Sequence, residues 1–252
     1  MSGNKELVGK VAIVTGAGRN IGRAIALALG DGGASIVVNV RSNTTEAGAV
    51  VREIEAAGGQ AVSHTGNIAD PRSAESLAET ALSQYGHIDI LINNAALRGE
   101  KPFEQMSFAD WRAVLDVTLD GAFHCVKACL PALKKSGGGR IINIGGMSAH
   151  TGAKNRAHVV TAKAGIVGFT RALAHDLSDA HITANCVVPG LIGTARPKNA
   201  PEPQHHFAHR TISGQRGMPE DVAAVVRFLC NAAASYITGQ TVHANGGAYL
   251  GS

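Results

Sequence analysis

Residues 10–26 read KVAIVTGAGRNIGRAIA, and this stretch decides the fold. The run Val11-Ala12-Ile13-Val14 is apolar throughout and short, the pattern of a strand buried on both faces. A turn with two glycines follows, Thr15-Gly16-Ala17-Gly18-Arg19-Asn20. Beyond it Ile21, Ile25 and Leu29 recur at a helical spacing. A strand that enters a helix through a glycine turn lets backbone N–H groups and the positive end of the helix approach a phosphate. Alone, such a turn is weak evidence. Here it begins a long alternation of strands and helices, which gives it a context.

Working outward, a chain of 252 residues is long enough for one sizeable core. The net charge of +4 is scattered, with no basic run longer than Lys134-Lys135, so nucleic-acid binding is not expected. The four cysteines form no CxxC pair. Cys125 and Cys129 lie in an apolar helical stretch and read as buried thiols rather than metal ligands. The segment MSGNKELVGK lacks the apolar core of a signal peptide, and no apolar run approaches a membrane span. A reducing cytoplasm and no membrane partner are the expectations.

The pattern continues with a second buried strand over 34–40, a helix over 44–57 stopped at Gly58-Gly59, and a short strand over 60–64. Asp70 and Pro71 read as N-cap and first residue of a helix ending near Gly86. Residues 88–92 form a fourth strand leading into Asn93-Asn94-Ala95-Ala96. A long helix spans 107–135, with Ser107 and Asp110 spaced as a capping box. Further strands fall at 140–144, 182–188 and 240–244, and helices at about 156–179 and 219–231. Residues 191–215 have little periodicity and suggest a lid. Seven apolar strands alternating with helices predict one doubly wound, parallel-sheet Rossmann-type domain over residues 1–252. Ligands of such sheets bind outside the carboxyl ends of the strands.

Those carboxyl ends carry a resemblance over essentially the whole chain. The sequence resembles the short-chain dehydrogenase/reductase family. Thr15-Gly16-x-x-x-Asn20-x-Gly22 matches the family's TGxxxGxG with Asn20 in place of the middle glycine, and Asn tolerates positive φ better than most residues. Asn93-Asn94-Ala95-Ala96 matches NNAG without its glycine, Lys163-Ala164-Gly165 the lysine end of YxxxK, and Pro189-Gly190 with Thr194 the PG motif over the nicotinamide. The resemblance implies a nicotinamide cofactor bound by Gly16, Gly18, Arg19, Asn20, Ile21, Gly22, Arg41, Ser42, Asn67, Ile68, Asn94, Ala95, Lys163, Pro189, Gly190, Ile192 and Thr194. An acid ending the second strand would bind the ribose hydroxyls of NAD and repel a 2′-phosphate. Here Val40 holds that place, followed by Arg41, with Arg19 in the glycine turn. Two guanidinium groups suit a phosphate, so NADP(H) is expected over NAD(H).

The family's catalytic pattern is incomplete. A Tyr donates the proton, a Lys four residues on lowers the Tyr pKa, a Ser thirteen residues before the Tyr holds the carbonyl oxygen, and an Asn completes a relay. Counting from Lys163, the Tyr position is Val159 and the Ser position Gly146, and in the stretch WRAVLDVTLDGAF the relay Asn position is Thr118. Tyr85, Tyr236 and Tyr249 all lie elsewhere. Three readings are open. One is an oxidoreductase on a small carbonyl, alcohol or imine with another proton source, for which Lys163, His158, Ser148 and His150 are candidates. The second is a non-redox lyase or hydrolase on the same scaffold. The third is a non-catalytic cofactor-binding or regulatory subunit.

His205, His206 and His209 share one short stretch, but no carboxylate or cysteine stands beside them, and no metal site is expected. Arg98, Lys154 and Arg156 fall in loops expected at the site mouth, where they attract an anionic substrate or serve as plain surface charge. The resemblance also implies a homotetramer or homodimer.

Overall fold

The computed structural model describes residues 5–194 and 210–251. The expected lid therefore lies partly, and the His205–His209 stretch wholly, outside the described residues. Seven strands form one parallel sheet: β1 (Val11–Val14), β2 (Ser35–Val40), β3 (Gln60–Thr65), β4 (Ile90–Asn93), β5 (Arg140–Ile144), β6 (Thr183–Pro189) and β7 (Thr241–Ala244). Their spatial order is β3-β2-β1-β4-β5-β6-β7. The order reverses between β1 and β4, which opens a crevice at their carboxyl ends.

The central strands β1, β4 and β5 are buried along their whole length because helices cover both faces, whereas edge strand β3 (QAVSHT) is mostly polar and exposed. One row across the sheet runs Val37–Ile13–Leu91–Ile141–Ala184. All five join the core beneath α3 (Pro71–Tyr85), α5 (Gly121–Lys135) and α7 (Ala157–Asp176). The next row, Val38–Val14–Ile92–Ile142, points the other way. It packs under α1 (Asn20–Asp31), α2 (Thr44–Ala56) and α8 (Pro219–Cys230). Successive residues thus feed opposite layers of a Rossmann-type domain.

The helix-start signals read from the sequence are in place. Asp70 accepts from Arg72 N at 3.0 Å, and Gly86 ends α3 with φ 84°. Ser107 and Asp110 form the reciprocal capping box of α4 (Phe108–Leu115). Two expectations are corrected. The helix expected over 107–135 is not uniform: a π turn over Asp116–Asp120 separates α4 from α5. Arg112 ion-pairs with both Asp116 and Asp120 across it, and helical periodicity alone does not reveal an inserted residue. The stretch after β5 is not all loop, for it contains the single turn α6 (Ser148–Thr151).

Candidate active site

The turn between β1 and α1 has the backbone its sequence demands. Gly16 has φ 63° and Asn20 φ 51°, so the asparagine occupies the left-handed conformation the replaced glycine would take. A side chain at Gly22 would clash with Gly16 O and stand 2.5 Å from Asn94 Nδ2. Thr15 and Asn94 staple this turn to the end of β4. Thr15 Oγ1 accepts from the N–H groups of Asn94 (3.0 Å) and Ala95 (3.1 Å), while Asn94 Nδ2 donates to Thr15 O (2.9 Å) and Gly16 O (3.1 Å). Buried Asn39 braces it from β2, accepting from Gly16 N at 3.4 Å and donating to Gly66 O and His64 Nδ1. Burial lowers the His64 pKa, and neutral Nδ1 serves as the acceptor.

These loops enclose a cleft of about 500 Å³ at the point where the strand order reverses. Its walls include twelve of the predicted residues: Gly16, Gly18, Arg19, Asn20, Ile21, Gly22, Arg41, Ser42, Asn67, Ile68, Asn94 and Ala95. The groups present fit a dinucleotide. Arg19, the N-cap of α1, offers no capping side chain, and the first turn holds no acid, so the positive helix end is left for a phosphate. Arg19 and Arg41 are exposed at one end of the cleft.

Glu46 was not singled out in the sequence. It lines the same end, with Oε2 3.2 Å from where a Cβ on Gly18 would stand. Its signal was present: Asn43 caps α2 by accepting from Glu46 N at 3.1 Å, which points the third helical residue back toward the turn.

Lys163, buried on α7, is not among the residues lining the cleft, but it interacts electrostatically with Arg98, which is. Lys163 is 7% exposed, and Nζ donates to Ile144 O at 2.5 Å. Burial lowers its pKa from 10.5 to about 7, with Arg98 and Arg156 pushing the same way. A Cβ on Gly146 would stand 3.5 Å from Lys163 Cγ. Val159 is 4% exposed and packs with Val114, Leu115, Ala162, Leu97 and Trp111. The Thr118 hydroxyl is buried in the π turn without a hydrogen-bond partner, an arrangement suited to an ordered water.

The other proposed proton carriers are placed differently. His150 turns into a ring cluster with His243 (4.7 Å) and Tyr249 (5.3 Å). His158 is buried beside Gly99 rather than on the cleft wall. Ser148 starts α6, half-buried. Pro189 and Gly190 end β6, where Gly190 N donates to Ala244 O. Ile192 is buried in the core, and an isolated parallel bridge holds it to Gly217, with Gly193 N donating to Gly217 O and Gly217 N to Leu191 O. Thr194 is half-buried at the edge of the described segment. Among the described residues no group of three or more His, Cys, Asp or Glu is placed to hold a metal, and no helix is long and apolar enough to cross a membrane.

A fold of this order with a glycine turn at its switch point is the framework of a dinucleotide enzyme. Residues 16–249 match the family model described as Enoyl-(Acyl carrier protein) reductase. A 3-oxoacyl-[acyl-carrier-protein] reductase of Synechocystis is 42% identical over 243 residues, covering 96% of this chain and 97% of the relative. A 7α-hydroxysteroid dehydrogenase, solved with NADH and 7-oxo glycochenodeoxycholic acid, superposes with a TM-score of 0.91 at 37% identity, covering 97% of this chain and 96% of that one. A short-chain dehydrogenase of Burkholderia cenocepacia, solved with NADP, gives 0.89 at 32% identity, covering 96% and 99%. The chain belongs to the short-chain dehydrogenase/reductase family of NAD(P)-dependent oxidoreductases.

Proposed function

We propose that this protein is an NADP(H)-dependent reductase of small 3-oxo compounds in which Lys163, not a tyrosine, manages the proton. One observation carries the reading: Lys163 is buried with its pKa lowered to about 7, and Arg98 on the wall of the switch-point cleft pushes it the same way. The reaction class follows the named activity of the Synechocystis relative. Arg19 and Arg41 support NADP(H) over NAD(H), and Glu46 opposes them.

When bound, the cofactor supplies the hydride. The glycine turn and the α1 terminus would hold its phosphates. Lys163 Nζ carries a proton near neutral pH and releases it toward the oxygen that gains negative charge. Val159 has no proton to give, so its place is filled by packing alone. Copies of the chain are proposed to assemble through the α5 and α7 faces, where Phe123 is 49% exposed and stacks near Phe169.

The test is calorimetric titration with NADPH and NADH, followed by nicotinamide absorbance with a 3-oxoacyl thioester. The reading expects tighter NADPH binding and turnover that disappears in Lys163→Met. A folded protein that binds neither nucleotide refutes it and favours a non-catalytic scaffold.

A further inference from the structure

Asn39 on β2 and His64 on β3 are neighbours in the sheet register, and both are buried, at 2% and 8% exposed. They fall on the face that Val37 and Val62 turn toward α3. Asn39 lines the cleft, as do Gly16, Gly66 and Asn67, whereas His64 is not on its wall.

The Asn39 amide is fully engaged. Its Oδ1 accepts from Gly16 N at 3.4 Å, in the glycine turn. Its Nδ2 has two protons, directed at Gly66 O (3.2 Å) and His64 Nδ1 (3.1 Å), with Val40 O farther off at 3.5 Å. Only an imidazole with an unprotonated Nδ1 can accept there. Once Nδ1 carries a proton, two donors face each other across 3.1 Å. Turning the amide over sets Oδ1 against the new N–H, but also against Gly66 O, and it sets Nδ2 against the Gly16 N–H. No orientation of the amide then satisfies all three neighbours. Gly66 has little room to move: a Cβ there would meet Ser73 Oγ and His64 Cε1, and Gly66 N donates to Val40 O at 2.9 Å. Protonation of His64 therefore disturbs Gly16 or Gly66, both on the cleft wall.

Among the described residues no charged group favours the protonated ring. β2 (SIVVNV) carries none. On the α3 side Arg72, Glu75 and Glu79 are exposed, and Arg72 pairs with Asp70 at 3.1 Å. Glu46, Arg52, Glu53 and Glu55 belong to α2, which covers the other face of the sheet. Burial moves the His64 pKa, and it moves it down from 6.5.

We propose that His64 is a positioning residue for the dinucleotide: acting through Asn39, its neutral ring holds Gly16 and Gly66 in place, and its protonation releases them. This rests on the reading of the cleft as a cofactor site and adds a pH dependence to it. Because binding needs the neutral ring, affinity is full above the His64 pKa and falls as pH drops through it.

Calorimetry with NADP⁺ and with NAD⁺ between pH 7.5 and 5.0 tests this in the wild type, His64→Leu and His64→Gln. Titration of the nucleotide itself is common to all three proteins and cancels in the comparison. At pH 7.5 the three are expected to bind within about threefold of one another. At pH 5.0 the wild type is expected to have lost about tenfold more affinity than either variant, the effect of one buried donor left unpaired. Glutamine does not titrate and still offers Asn39 an acceptor, so it serves if leucine prevents folding. Parallel pH curves for wild type and variants overturn the proposal, because a merely structural histidine would change Tm without changing the pH profile.

Hydrogen exchange over residues 15–22 without nucleotide, corrected for the intrinsic pH dependence of exchange, separates this role from the cofactor reading. The wild type is expected to lose about tenfold in protection at pH 5.0 relative to His64→Gln. If neither nucleotide binds at any pH, the cofactor reading fails and exchange alone decides. Equal protection in the two proteins then overturns the role of His64.

Discussion

Replacing Lys163 by methionine is expected to make the protein more stable at neutral pH while abolishing turnover. The side chain is 7% exposed, and its pKa falls from 10.5 to about 7 on folding. Between those values the unfolded chain holds a proton that the folded chain does not, so wild-type stability rises with pH across that window. At pH 7 the unfavourable burial amounts to about 4 kcal/mol. Methionine matches the stem in shape but leaves Ile144 O without its donor, which returns about 1–3 kcal/mol. The net gain of about 1–3 kcal/mol corresponds to a Tm increase of roughly 3–8 °C in a chain of this size. The advantage shrinks by about 1.4 kcal/mol per pH unit above 7 and reverses at roughly pH 8–9. Scanning calorimetry of both proteins from pH 6.5 to 10 reads this directly. A variant that is less stable at pH 7, with a gap independent of pH, would show that Lys163 is stably charged in the fold and would refute the argument.

Other consequences follow from the same geometry. If Lys163 delivers the proton, kcat for reduction falls as pH rises through about 7, and Lys163→Arg, which stays protonated, flattens the profile while lowering the rate. Glu46 stands against the glycine turn beside the two arginines, so Glu46→Gln is expected to tighten NADPH binding about 3–10-fold with a smaller effect on NADH, and Arg41→Ala to weaken it by a similar factor; calorimetry measures both. Combining Val159→Tyr with Gly146→Ser restores the hydroxyls of the family pattern. The serine is in ordinary contact with the Lys163 stem, whereas the tyrosine overfills a packed cluster at about 1–3 kcal/mol. A lower Tm with higher ketone turnover is expected, and unchanged turnover would mean that the missing hydroxyls do not limit this enzyme.

Much of this was legible in the chain. Buried β1 announces itself as an unbroken apolar run, VAIV, because helices cover both faces of the sheet. Asn20 reads correctly as a stand-in for glycine because tolerance of positive φ is a property of the residue itself. Asp70 and Ser107 are recognisable caps because capping is settled within four residues. The place of the cleft at the switch point followed from these, and twelve of the residues named from the sequence line it.

Sequence alone thus determined the doubly wound sheet, the glycine turn and the absence of tyrosine, serine and asparagine at the positions counted from Lys163. Tertiary structure alone decided what those absences leave behind. The π turn that buries the Thr118 hydroxyl, the removal of His150 into rings from β7 and the C-terminal tail, and the approach of Glu46 to Gly18 all depend on neighbours distant in sequence. So does the proton affinity of Lys163, which is lowered first by burial and then by Arg98 from the segment after β4. Local propensity acts over a few residues, whereas desolvation and charge act through space. A sequence can therefore name the lysine, but only the packed fold sets its proton affinity.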